Sequence, residues 1–98
     1  MEKVLIFESS KSRNYWFQYI VNYLRSKGFI CKVYLYASEI WINGNRLMFK
    51  AASEINNIFM AGRRDTLYYK NIENRLEENF KETLGEILNG KERNINIR

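Results

Sequence analysis

The sequence predicts an α/β domain on a small mixed sheet, from three observations. A continuous apolar run, Val4-Leu5-Ile6-Phe7, is followed by an amphipathic stretch and then a second β-rich run. A strand buried on both faces reads as such a run, and strand, helix, strand is the βαβ pattern, so these two strands are expected to run parallel. Third, an Asn-Gly pair sits between two further β-rich runs and marks a hairpin. The expected order is β-α-β-β-α-β-α with about four strands. The chain has 98 residues, the length of one domain. That domain is expected over residues 1–90, with 91–98 a flexible polar tail.

After the first strand, Ser9, Ser10 and Ser12 offer a helix N-cap. The spacing of Trp16, Phe17, Ile20, Val21 and Leu24 predicts a helix over Asn14–Lys27, and Tyr15, Tyr19 and Tyr23 form a second stripe beside that face. Gly28 stops it. Phe29–Ala37 reads as the second strand, and residues 38–50 as the hairpin around Asn43-Gly44-Asn45. Ser53 is placed to cap a short helix through Ala61 that carries Ile55, Ile58 and Phe59 and ends at Gly62. Thr66–Tyr69 is a short strand. Ile72, Leu76, Phe80, Leu84, Ile87 and Leu88 then predict one amphipathic helix over Ile72–Asn89, with a Glu-rich outer face and Gly90 as its stop.

Composition removes several chemistries. The chain has no histidine and one cysteine, Cys31. A zinc ligand set, a Ser-His-Asp triad and a Cys-His pair are therefore out of reach. One cysteine also forbids an internal disulfide, which points to a reducing compartment, and Cys31 reads as a small buried hydrophobe. No apolar run approaches the 18 residues of a membrane span, and the first residues do not form a secretory signal. A cytoplasmic protein is expected, in the host cytoplasm if viral. Of the carboxylates outside the last helix, Glu8 ends the first strand, where α/β sites usually lie, but no second or third acid is clearly placed beside it. The expectation is a non-enzymatic protein without metal or cofactor.

Three segments stand in a distinctive order: Ser9-Ser10-Lys11-Ser12 after the first strand, the hairpin Ile42-Asn43-Gly44-Asn45-Arg46-Leu47-Met48-Phe49, and Ala61-Gly62-Arg63-Arg64-Asp65 leading into Thr66–Tyr69. This order resembles the N-terminal part of the RecA-like ATPase core of phage terminases and related helicases. It covers about residues 3–72. The glycine-lined phosphate loop is absent, only Lys11-Ser12 matching its end, and Lys70-Asn71 stand where the acidic pair is expected. The resemblance implies a degenerate nucleotide-binding scaffold that has lost hydrolysis.

Net charge is +5 and uneven. Basic groups stand at loops and on the hairpin: Lys11 and Arg13, Arg46 and Lys50, Arg63 and Arg64. They are the candidate contacts to an acidic protein or to nucleic acid, since the guanidinium fork suits carboxylate and phosphate. Tyr15, Tyr19, Tyr23 and Trp41 are the candidate interface aromatics, because the aromatic surface of the first helix exceeds one face. The favoured reading is a small phage-type accessory protein that binds a protein partner, for example to inhibit a host or defence enzyme. The phage label leans on small size, an abundance of residue types encoded by A/T-rich codons, the terminase resemblance and the lack of catalytic groups. Alternatives are a nucleic-acid-binding protein with a basic face and, second, the degenerate ATPase-like domain. A homodimer is a further expectation of the surplus aromatic stripe.

Overall fold

The computed structural model describes residues 1–63 and 65–89. Its elements in chain order are β1 (Glu2–Phe7), α1 (Ser10–Ser26), β2 (Lys32–Tyr34), β3 (Glu39–Ile42), β4 (Asn45–Ala51), a 3-10 turn (Ala52–Glu54), α2 (Asn57–Met60), β5 (Leu67–Tyr69), α3 (Ile72–Glu78) and α4 (Phe80–Asn89). They form a mixed α/β fold on one sheet of five strands, one more than expected, in the order β2-β3-β4-β1-β5.

Strand burial explains that order. Val4 and Leu5 on β1 and Leu47, Met48 and Phe49 on β4 are buried on successive positions, so both strands need cover on both faces. They pair parallel at the centre, with Val4 against Met48 and Leu5 against Phe49. β5 pairs parallel on the other side of β1, and β3 pairs antiparallel with β4. The second strand runs in the same sense as β1, as βαβ predicts, but it does not lie beside β1. It is the outer strand next to β3, because its alternating, half-exposed residues suit an edge. It is also shorter than the expected Phe29–Ala37. Upstream, α1 ends in a Schellman motif: Phe29 N–H donates to Leu24 O at 3.0 Å and Gly28 N–H to Arg25 O at 3.1 Å, with Gly28 at φ +82°. Downstream, Ser38 N–H donates to Leu35 O at 3.3 Å and closes a turn. Between these two ends only Lys32–Tyr34 is free to pair.

The hairpin turns on Asn43 and Gly44, both at positive φ as a two-residue type I′ turn requires. α1 starts four residues before the predicted Asn14: Ser9 is the N-cap, its hydroxyl oxygen accepting from Ser12 N–H at 3.1 Å. Trp16, Phe17, Ile20, Val21 and Leu24 are buried as their spacing predicts, each contributing about 1.5–3 kcal/mol. The helix expected from Ser53 divides into the 3-10 turn and the single turn α2. Asn56, not Ser53, caps α2, with its side chain accepting from Phe59 N–H at 2.7 Å.

The last helix is two helices, broken at Asn79, whose backbone (φ −151°) leaves the helical region. Its carbonyl accepts Thr83 N–H at 3.0 Å to start α4, and Thr83 Oγ1 donates back to Arg75 O at 3.0 Å. The break turns Phe80 onto the aromatic stripe of α1 while Leu84 and Ile87 stay in the core. The C-terminal carbonyls of α4 are met from the sheet. Lys3 Nζ, fully buried, donates to Ile87 O, and Asn45 Nδ2 donates to Leu88 O at 2.9 Å. The expected stop at Gly90 and tail over 91–98 lie outside the described residues.

The sheet faces differ. One, with Leu5, Phe7, Ile40, Leu47, Phe49 and Tyr69, packs against α1, α3 and α4 as the main core. The other has a small cluster of Val4, Met48 and Tyr68 under Ile55, Phe59 and Met60.

Candidate partner-binding surface

The predicted basic contacts do not converge on one basic patch. Arg13 Nη1 pairs with Glu54 Oε1 at 2.9 Å and ties α1 to the 3-10 turn. Arg46 lies between Glu39 at 2.9 Å and Glu2 at 2.8 Å, with its guanidinium 5.6 Å from the Trp41 ring. Arg63 pairs with Glu2 at 2.8 Å, donates to Phe59 O at 2.6 Å and sits 4.4 Å over the Phe59 ring. Lys50 lies 5.3 Å from the same ring. Lys11 is exposed in the first turn of α1. Arg64 lies outside the described residues. The second sheet face thus carries a charge network centred on Glu2, which also accepts from Thr66 Oγ1 at 2.9 Å.

Burial by itself pushes the Glu2 carboxyl up. Hydrogen bonds from Thr66 and Arg63 and the charges of Arg63 and Arg46 outweigh it and hold Glu2 below the usual carboxylate range. Glu39 is lowered in the same way, burial being overcome by Arg46 and the Trp41 indole, which donates at 3.1 Å. Glu54 is lowered as well, against burial, by Ala51 N–H and Arg13. Arg46 is raised, first by its hydrogen bond to Glu39. These arginines hold strands and turns together through internal carboxylates.

The predicted aromatics separate. Tyr15 and Tyr19 are exposed on α1 beside Trp16, while Tyr23 is half-buried against Phe80 at 4.9 Å between ring centroids. Tyr19 also meets the Phe80 ring edge at 5.1 Å. The last helix therefore covers Tyr23 and part of Tyr19 through Phe80. An open groove of about 640 Å³ remains there, lined by Lys11, Tyr15, Tyr19, Glu77 and Phe80 among others. Trp41 lies elsewhere, on the second sheet face, 45% exposed and edge-on to Tyr34 at 5.8 Å.

Trp41 lies near β2, where several other exposed large apolar side chains of the described residues stand, most of which sequence reasoning missed. Ile30 is 93% exposed, Leu35 70% and Tyr36 fully, with Phe29 and Tyr34 also open. These residues surround β2, whose outer side has no partner strand among the described residues. Beside it an open cleft of about 660 Å³ is lined by Ile30, Cys31, Lys32, Trp41, Arg46 and the hairpin turn. The sequence signal was present: Phe29–Ala37 contains one charge, Lys32, in nine residues. The expectation of a strand over Phe29–Ala37 leaves its place in the sheet, and so the exposure of those side chains, open. Single exposed apolar residues are ordinary, but a contiguous apolar patch on a small domain marks an interaction surface.

A second crevice lies at the C-terminal ends of the parallel strands. α1 follows β1 on one face and α2 follows β4 on the other, which makes a topological switch point. The crevice there, about 330 Å³, is lined by Phe7, Glu8, Ala52, Lys70, Asn71 and Glu73 among others. Among the described residues, no group of three or more His, Cys, Asp or Glu side chains is placed to hold a metal ion. Lys11 and Ser12, the end of the phosphate-loop resemblance, stand in the first turn of α1. No described helix is long and apolar enough to cross a membrane.

Comparison with known protein families, with curated proteins and with solved structures finds no match to this chain. The terminase resemblance accordingly has no matched relative behind it.

Proposed function

We propose that this chain acts by binding a protein partner, through the apolar surface that runs from β2 across Trp41 into the neighbouring cleft. The observation that supports this reading is the stretch Phe29–Tyr36, where Phe29, Ile30, Tyr34, Leu35 and Tyr36 are all solvent-exposed on a sheet edge. Burying such side chains is favourable by about 25 cal/mol per Å², and Trp and Tyr are the residues that most often anchor protein interfaces. The phage-type accessory and inhibitory roles rest on composition and on the terminase resemblance, and belong to the same proposal as its more specific form.

The nucleic-acid alternative draws less support. Arg13, Arg46 and Arg63 are each matched to an internal carboxylate, so phosphate contacts would compete with ion pairs that hold the fold. A charge reversal at Arg63 would also break its pair with Glu2 and would not isolate a binding role.

Affinity capture from lysate of the natural source, with wild type and Trp41→Ser compared at equal folded concentration, tests the reading. The expected outcome is a partner retained at moderate salt by the wild type and lost at least tenfold in the variant. Equal recovery with both proteins, or none with either, would refute it.

A further inference from the structure

We infer that the β2 edge is a self-pairing surface: two copies join antiparallel through Lys32–Tyr34 about a two-fold axis at Val33, making one continuous sheet from two. This rests on the reading of that edge as a protein-binding surface and names a second copy of the chain as its occupant.

An edge strand presents unpaired backbone N–H and C=O groups, and proteins usually blunt such edges with charge, proline or a covering element. Here residues 29–37 contain no proline and one charge, Lys32. No described element covers the outer side of β2. A strand that pairs with itself must also be self-complementary, residue i meeting j and j meeting i. With the axis at Val33, Lys32 faces Tyr34 of the second copy, and Cys31 faces Leu35. Ile30 and Tyr36 flank the paired segment, Tyr36 in the turn that Ser38 closes onto Leu35. Every cross-strand pair is then apolar on apolar or a cation beside an aromatic ring, both favourable arrangements.

Charge selects this register over its neighbour. An axis at Lys32 would set two ammonium groups directly opposite each other, which is destabilising. With the axis at Val33, each Lys32 instead enters the cross-strand row that continues from Tyr34 to Glu39 of the other copy. Ile30, Leu35 and Tyr36, largely exposed in the single chain, are the side chains this pairing covers. Tyr34 and Trp41 lie on the sheet face beside the axis, so the two aromatic pairs come together into one surface still open to another protein.

Light scattering on the purified chain, over about a hundredfold range of micromolar concentration, is expected to show the mass rising to that of two copies. Ile30→Lys with Tyr36→Lys is expected to hold the mass at one copy with an unchanged melting temperature, since both side chains are exposed in the single chain. The register is read separately with Leu35→Cys. Under mild oxidation its new thiol and the native Cys31 should cross-link two copies, giving a covalent dimer on a non-reducing gel. A single-copy mass at every concentration overturns the inference, and so does a dimer that the two lysines leave intact or that Leu35→Cys cannot cross-link. A single-copy mass together with a partner captured in a Trp41-dependent way sinks the self-pairing alone. A doubled mass with no other protein captured sinks only the broader functional reading.

Discussion

The two faces of the sheet are built by different physics. The helix-covered face buries Leu5, Phe7, Ile40, Leu47, Phe49 and Tyr69 under α1, α3 and α4, and stacks Phe7 on Phe49 at 5.8 Å. The opposite face has, among the described residues, a small buried apolar cluster of Val4, Met48 and Tyr68, surrounds it with Glu2, Glu39, Arg46 and Arg63, and leaves Tyr34 and Trp41 in contact with solvent. Dense apolar packing supplies stability on one side. On the other, ion pairs fix the strands while aromatic area stays open. A domain this small has few side chains to spare, so apolar area left uncovered on one face and edge is the feature that needs a functional explanation.

The largest effect that would separate the faces comes from Phe49→Ala. Phe49 is fully buried and meets the Phe17 ring edge-on at 5.2 Å, so its truncation should cost about 3–5 kcal/mol. That is a large part of the stability of a domain of this size, and urea unfolding measures it. A loss below about 1 kcal/mol would mean that the covered face is not the stabilising one.

The faces should also answer pH in separate windows, stability rising with pH in both. Glu2, Glu39 and Glu54 are held below the ordinary carboxylate range in the folded state. Their contribution is present above the unfolded value, about 4.3, and is lost as pH falls through the folded values. Lys3, on the covered face, is lowered by burial, so the unfolded chain holds its proton more tightly. Stability should therefore rise with pH from the lowered folded value of Lys3 toward the unfolded value of about 10.4. Melting temperatures across the pH range check both limbs. Lys3→Met should abolish the alkaline rise while leaving the acid limb in place.

The smallest of these effects belongs to Glu2→Gln. The substitution keeps the shape but weakens the links to Arg46 and Arg63, at an expected cost of about 1–2 kcal/mol because the network is only partly buried. A cost as large as that of Phe49→Ala would show that the charge network, and not the apolar core, carries the fold.

Local chemistry made much of this fold legible. The apolar run of β1, the five-residue face of α1 and the Asn43-Gly44 turn each follow from short-range rules, and each is found within a few residues of where those rules place it. The break at Asn79 was not legible, since the apolar spacing runs unbroken from Ile72 to Leu88; it arises where Phe80 turns to meet Trp16, Tyr19 and Tyr23. The site followed the same divide. Trp41 and the tyrosines could be named as aromatic surplus from the sequence, but the arginines could not be matched to Glu2, Glu39 and Glu54 before the strands were in register.

The sequence by itself determined the class of fold, the positions of its strands and first helix, and the absence of imidazole chemistry, because periodicity, capping and residue type act over a few neighbours. Only the tertiary structure decided that β4 lies beside β1 and that β2 is sent to the edge. Strand order depends on which strands require burial on both faces, a competition among residues far apart in the chain. That competition is also what leaves Phe29, Ile30, Tyr34, Leu35 and Tyr36 as an open surface.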